Sequence, residues 1–231
     1  MTTKPIALSA LDDSTENVEK PLRLTEIFCS LQGESNTIGW PTVFVRLTGC
    51  PLRCVYCDTA YAFTGGERWA RTDILNEVAR HGARHVCMTG GEPLAQSGVH
   101  DLLEQLCDAG YSVSLETSGA LDVSRVDRRV HIVMDLKTPA SGELDRNHWD
   151  NLNYLKSSDE IKFVLANRDD FEWMESVVGD HQLDQRCAVI CSPVADQLTP
   201  KDLAEWVIAS PHHLRMQLQL HKIIWGDEPG H

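Results

Sequence analysis

Short apolar runs alternate with amphipathic stretches along this chain, and their spacing separates strands from helices. Residues 22–28 and 42–47 read as strands, the second rich in β-branched and aromatic side chains. A loop with Gly33, Gly39 and Pro41 joins them, and the stretch from Thr48 to Ala70 is irregular. The pattern predicts a helix over 73–81, with Thr72 as its cap and Gly82 as its stop. Residues 85–89 read as a buried strand. Val99, Leu102, Leu103 and Leu106 recur at i, i+3, i+4 and i+7, which gives a helix over 99–109 one apolar face before Gly110 ends it. Strands are expected at 112–116, 131–136, 161–165 and 188–192, with a helix at 169–178 before the last of them. Thr199-Pro200 opens a further helix, Thr199 as cap and Pro200 in the first turn, where a missing N–H costs nothing. Residues 214–220 alternate as a final strand.

Strands alternating with helices of this length predict βαβ units on a parallel sheet, an α/β fold. The expected organisation is a disordered N-terminal tail over 1–21 and one domain over 22–231. In such folds the chemistry gathers at the C-terminal ends of the strands. The informative motifs fall there: a cysteine loop after 42–47, Thr89-Gly90-Gly91-Glu92-Pro93 after 85–89, and Glu116-Thr117 after 112–116.

Composition narrows the partners. The formal net charge of −13 argues against the basic face that tracks nucleic acid. No run of 18 apolar residues is present, so no membrane-spanning helix is expected. The first 22 residues carry Asp12, Asp13, Glu16 and Glu19 and no apolar core of a signal peptide. The expected compartment is the cytoplasm, where clustered cysteines more often bind metal or catalyse than form disulfides.

Eight cysteines are present, and three lie close together in Cys50-Pro-Leu-Arg-Cys54-Val-Tyr-Cys57. Structural zinc sites and 4Fe-4S clusters both usually take four protein ligands. Three thiolates leave one iron of a cluster open to an outside ligand, and that iron can chelate the amino and carboxylate groups of S-adenosylmethionine (SAM). The competing reading is a zinc site completed by His81 or His85. The paired glycines at Gly90 and Gly91 allow close backbone approach to a ligand, and Glu92 is an acceptor for an ammonium. Cys29, Cys87, Cys107, Cys187 and Cys191 read as core or incidental cysteines.

The C-x-x-x-C-x-x-C spacing with Tyr56 before the last cysteine resembles the radical SAM signature. Together with Glu26-Ile27-Phe28, Leu31-Gln32-Gly33-Glu34, Arg46, Cys57-Asp58-Thr59, Leu115-Glu116-Thr117 and the terminal Met216-to-Lys222 segment, it resembles the 7-carboxy-7-deazaguanine synthase family from about Leu22 to Lys222. That resemblance implies a partial, shortened (β/α) barrel, open on one side, in a homodimer. It implies conversion of 6-carboxy-5,6,7,8-tetrahydropterin to 7-carboxy-7-deazaguanine with loss of ammonia, on the route to queuosine. The implied cofactors are a 4Fe-4S cluster on Cys50, Cys54 and Cys57, SAM, and Mg²⁺ at Thr59, with electrons from a donor such as flavodoxin. In this resemblance SAM is cleaved to methionine and a 5′-deoxyadenosyl radical, which takes hydrogen from C6 of the substrate. SAM would meet Tyr56, Cys57, Asp58, Gly91, Glu92, Asp135, Leu136, Lys137 and the segment Ser192, Pro193, Val194 and Ala195. The pterin would meet Leu31, Gln32, Gly33, Glu34, Arg46, Thr89, Glu116 and His221.

The residues themselves agree in part. A planar guanidinium such as Arg46 suits a carboxylate bidentately, though a surface ion pair is the alternative. Ionised Glu116 is an acceptor-only group fit for the guanidine-like edge of a pterin, with a helix cap as the alternative. The chain departs from the family at Ser35, where Gly is frequent, at Asp135-Leu136-Lys137 in place of Ser-Pro-Lys, and in a tail that runs beyond Lys222 to His231. The rivals are another radical SAM enzyme, such as a glycyl-radical activase, and a non-enzymatic zinc or iron-sulfur module.

Overall fold

The computed structural model describes residues 20–226 together with Glu228 and Gly230. The expected tail lies outside the described residues as far as residue 19, as do Asp227, Pro229 and His231. Strands β1 (Leu22–Leu31) and β2 (Pro41–Leu47) form an antiparallel hairpin, and β3 (Glu67–Trp69) pairs antiparallel with β1. From β2 onward every pairing is parallel, through β4 (His85–Gly90), β5 (Ser112–Thr117), β6 (His131–Asp135), β7 (Glu160–Leu165), β8 (Ala188–Pro193) and β9 (Leu214–Met216). Among the described residues the sheet runs β3-β1-β2-β4-β5-β6-β7-β8-β9, and its two edges do not meet. The result is the expected partial barrel.

Helices α1 (Arg71–His81), α2 (Val99–Asp108), α3 (Arg168–His181) and α4 (Pro200–Ala209) pack on one face of this sheet. The strand residues facing them are apolar and alternate: Val43, Val45 and Leu47 on β2, Val86 and Met88 on β4, Ile161, Phe163 and Leu165 on β7. Helix α2 meets them with Val99, Leu102, Leu103 and Leu106, all fully buried, as its periodicity predicts. Each such side chain contributes roughly 1.5–3 kcal/mol by leaving water. The intervening residues point the other way and include the charged Arg46, Glu116, Asp135 and Lys162 beside the apolar Phe44, Val133 and Val164. Across neighbouring strands Arg46 stands opposite Thr89, Glu116 opposite Val133, and Asp135 opposite Lys162. Period-2 alternation thus produces an apolar outer shell and a charged interior from the same strands.

Three expectations are corrected. Helix α1 starts at Arg71 with Ala70 in the cap position, so Thr72 lies within the first turn. The cause is β3, a strand inside the stretch expected to be irregular, which delivers the chain directly into the helix. The last strand ends at Met216 instead of 220, because the Gln217 side chain turns away to hold the loop after β1. A short helix, α5 (Leu220–Trp225), follows it. Thr199 caps α4 as expected, accepting from the Asp202 amide at 3.1 Å.

Candidate active site

The cysteine loop is seated by backbone packing. Gly49, at φ 100°, donates its N–H to the Ala62 carbonyl at 2.8 Å, and the Glu92 N–H reaches the Gly49 carbonyl at 2.8 Å. Gly91 lies so close that a Cβ there would strike the Gly49 carbonyl. Leu52 anchors the loop in the interior, and the Arg53 guanidinium donates to the carbonyls of Cys50 and Leu52 at 2.8 and 2.6 Å while lying over the Phe63 ring. Cys50, Cys54 and Cys57 are thereby held half-buried on the wall of a cavity of about 520 Å³, within the usual size of a small-molecule site.

Burial pushes all three thiols above their ordinary value, and the Lys137 ammonium pulls each of them back. Lys137 is itself buried. Burial alone would lower its pKa, but the Asp135 carboxylate, 3.0 Å from Nζ, holds it well above the usual lysine range. Asn147 fixes that lysine's backbone, accepting from its N–H at 2.8 Å and donating to its carbonyl at 2.9 Å. Among the described residues no three His, Cys, Asp or Glu groups converge on one ion-sized point. A cluster that places each thiolate on its own iron does not require such convergence. Three soft sulfur donors on one loop, beside a fixed cation that favours thiolate, fit an iron-sulfur cluster. The histidines of the zinc reading lie elsewhere: His81 pairs with Glu77 on α1, and His85 packs against the Trp40 ring at the opposite end of β4 from Gly90.

The opposite wall comes from the loop after β1. It folds beneath the strands and brings Gln32, Gly33 and Glu34 into the cavity. Gln32 Nε2 donates to Glu116 at 3.4 Å, and Thr89 Oγ1 donates to the other Glu116 oxygen at 2.8 Å. Glu34 is taken up by Lys162 and by Gln219, which donates at 2.7 Å. Burial would raise the Glu34 carboxyl, but Lys162 outweighs it and holds the group below the ordinary value. The Leu220 N–H donates to the Gly33 carbonyl at 3.0 Å, and His221 sits where a Cβ on Gly33 would be. Burial lowers the His221 pKa, which favours the neutral imidazole. Ser35 adopts φ 67°, the left-handed conformation glycine favours. Its backbone is held there by the Gln217 side chain on both its N–H and its carbonyl.

Three comparisons bear on this arrangement. Residues 44–140 match the radical SAM superfamily model. The 7-carboxy-7-deazaguanine synthase of Chlorobaculum tepidum is 44% identical over 215 residues, covering 92% of this chain and 98% of that one. The chain belongs to the 7-carboxy-7-deazaguanine synthase family. The synthase of Koribacter versatilis is 39% identical, with 90% and 98% covered. Among solved structures, QueE from Escherichia coli superposes with a TM-score of 0.69 at 25% identity, covering 87% of this chain and 95% of that one.

Family membership does not place every expected residue at the cavity. Leu31, Gln32, Gly33, Glu34, Arg46, Thr89, Glu116 and His221 line it, as do Tyr56, Asp58, Thr59, Gly91, Asp135, Lys137, Val194 and Ala195. Glu92 does not line it. It is fully buried, and its carboxylate accepts from the Leu94 N–H, the Thr117 hydroxyl and the Ser118 N–H, at 3.0, 2.9 and 2.7 Å. In this geometry Glu92 braces the glycine turn. Leu136 packs in the core, and the side chains of Ser192 and Pro193 are buried away from the cavity. The Tyr56 hydroxyl donates to the Val164 carbonyl at 3.0 Å, which fixes its ring as part of the wall. Cys187 and Cys191 sit in the core, where burial pushes the Cys191 thiol up to about 12. The residues missed from sequence are Lys162 and Gln219, recognisable only once distant segments meet at Glu34, and Asn147, whose amide holds the Lys137 backbone within one loop.

Proposed function

We propose that the chain converts 6-carboxy-5,6,7,8-tetrahydropterin to 7-carboxy-7-deazaguanine with release of ammonia. One observation carries this reading: the three thiols and the polar set Arg46, Gln32, Thr89 and Glu116 open into one cavity. Cluster-side and substrate-side groups therefore share a single cavity. Cys50, Cys54 and Cys57 hold the 4Fe-4S cluster. When bound, the cluster and SAM supply hydrogen-atom abstraction from the substrate.

The chain's own residues bind, orient and shield. Arg46 takes the substrate carboxylate in a charge-assisted, bidentate pair. Glu116, steadied by Thr89 and Gln32, accepts from the guanidine-like edge of the pterin. Neutral His221 offers the ring one donor and one acceptor. Asp135, Lys137, Gly91 and Tyr56 form the SAM side. Thr59 and Asp58 present adjacent oxygens, with the Thr59 hydroxyl donating to Asp58 at 2.8 Å. That pair fits a Mg²⁺ whose remaining positions are filled by substrate and water. The loop after β1 and α5 wall one side of the cavity and limit the water that reaches it, which strengthens the electrostatic contacts there. In this reading a flavodoxin-type protein supplies the electron, and the working unit is a cytoplasmic homodimer.

The test is anaerobic reconstitution with iron, sulfide, SAM, Mg²⁺ and dithionite. Release of 5′-deoxyadenosine is expected to rise sharply when the carboxylated pterin is added, and to vanish in Cys54→Ala. Release that ignores the pterin would point to a different substrate.

A further inference from the structure

Arg46 enters the cavity with one side of its guanidinium already engaged. Its Nε donates to Glu26 Oε1 at 2.7 Å. Tyr61 donates its hydroxyl to the same oxygen at 2.9 Å. The guanidinium carbon lies 5.7 Å from the Phe28 ring centre and 5.9 Å from that of Tyr61, and Phe28 stacks on Phe44 at 5.0 Å. Among the described residues the two terminal nitrogens of Arg46 have no protein hydrogen-bond partner. Glu26 itself does not line the cavity.

The backbone is irregular at the point where this pair is made. The β1–β2 register advances two residues on β1 for one on β2, from Leu24 opposite Leu47 to Glu26 opposite Arg46. Thr25 is the extra residue of a β-bulge. In an unbroken register Thr25 would face Arg46, and Glu26 would face the buried Val45. Bulges next to sites re-aim a side chain in this way.

We propose that Glu26 is a positioning residue for substrate. It fixes the Arg46 guanidinium by its Nε, so that the two terminal nitrogens face the cavity and take the substrate carboxylate. A guanidinium held at one edge keeps its remaining fork in one plane, and this preorganisation removes part of the ordering cost of binding. The inference rests on the reading of Arg46 as the carboxylate site.

The experiment titrates the reconstituted holoenzyme with SAM present and no reductant, by anaerobic calorimetry, using two probes. One is 6-carboxy-5,6,7,8-tetrahydropterin, and the other is tetrahydropterin without the carboxylate. The wild-type protein is expected to prefer the first by about tenfold or more. Glu26→Ala is expected to lose most of that preference while binding the second probe unchanged, which also shows that the variant is folded. Glu26→Gln keeps an acceptor for Nε and is expected to recover part of the preference. The proposal is overturned if Glu26→Ala keeps the wild-type preference, or if it weakens both probes equally. If the wild-type protein shows no preference, the Arg46 reading fails first and takes this inference with it.

Discussion

Lys162 shows how a functional residue hides in a sequence. In Ile161-Lys162-Phe163-Val164-Leu165 it occupies the face opposite three core residues, which on an ordinary half-exposed strand is the solvent face. Sheet curvature and the loop after β1 turn that face into a cavity wall, where Lys162 meets Glu34. Cysteine spacing and the guanidinium of Arg46 were legible because they announce their chemistry locally. Lys162 was not, because its partner Glu34 lies 128 positions away, and Asn147 was not, because its amide meets only the Lys137 backbone across a loop. A buried pair that loses one member leaves an uncompensated charge, a cost of about 3–5 kcal/mol. Lys162→Met is therefore expected to destabilise the fold by about that amount at neutral pH, by urea denaturation. The pH dependence has a definite sign. In the wild-type chain Glu34 is held below its ordinary value of 4.5, so its contribution is present above that pH and lost as pH falls through the lowered value. Without Lys162 burial dominates and raises the Glu34 pKa. The folded state then binds the extra proton, and the deficit shrinks as pH falls towards about 5. A deficit equal at both pH values would contradict the pairing.

At the scale of elements, local signals succeeded where one element contained its own reason. The i, i+3, i+4, i+7 pattern fixed α2, and Thr199-Pro200 fixed the start of α4, because periodicity and capping are local. Errors arose where a neighbour decides the outcome. Three residues suffice for β3 because β1 supplies its pairing partner, and that strand displaces the start of α1 from Thr72. The alternation of Met216, Leu218 and Leu220 imitates a strand, but the Gln217 side chain and the Gly33 carbonyl draw the chain into α5. The cysteine loop depends in the same way on the turn after β4. Gly91→Ala puts a methyl against the Gly49 carbonyl, so the loop must shift. The expected result is a protein that retains its far-ultraviolet circular dichroism and loses most of its capacity to hold iron and sulfide after reconstitution. Full iron content in that variant would show that the close approach is dispensable.

For the whole molecule, the alternation of strands and helices was enough to read a parallel α/β sheet with chemistry at its C-terminal ends. The way the open barrel is sealed was not readable. The Ser35–Gln217 and Glu34–Gln219 contacts join residues more than 180 positions apart. They carry the loop after β1 across the gap between the outer strands and give the cavity its floor. With the cysteine loop above and Arg46, Thr89 and Glu116 along the side, the fold sets three thiols and a polar wall around one cavity. No helix among the described residues is long and apolar enough to cross a membrane. The most direct measurement of the central claim is mass spectrometry of the product from holoenzyme, SAM, Mg²⁺, dithionite and 6-carboxy-5,6,7,8-tetrahydropterin without oxygen. The account predicts 7-carboxy-7-deazaguanine and ammonia, absent in Cys54→Ala and strongly reduced in Arg46→Gln. An intact cluster that releases 5′-deoxyadenosine but forms no deazapurine would contradict it.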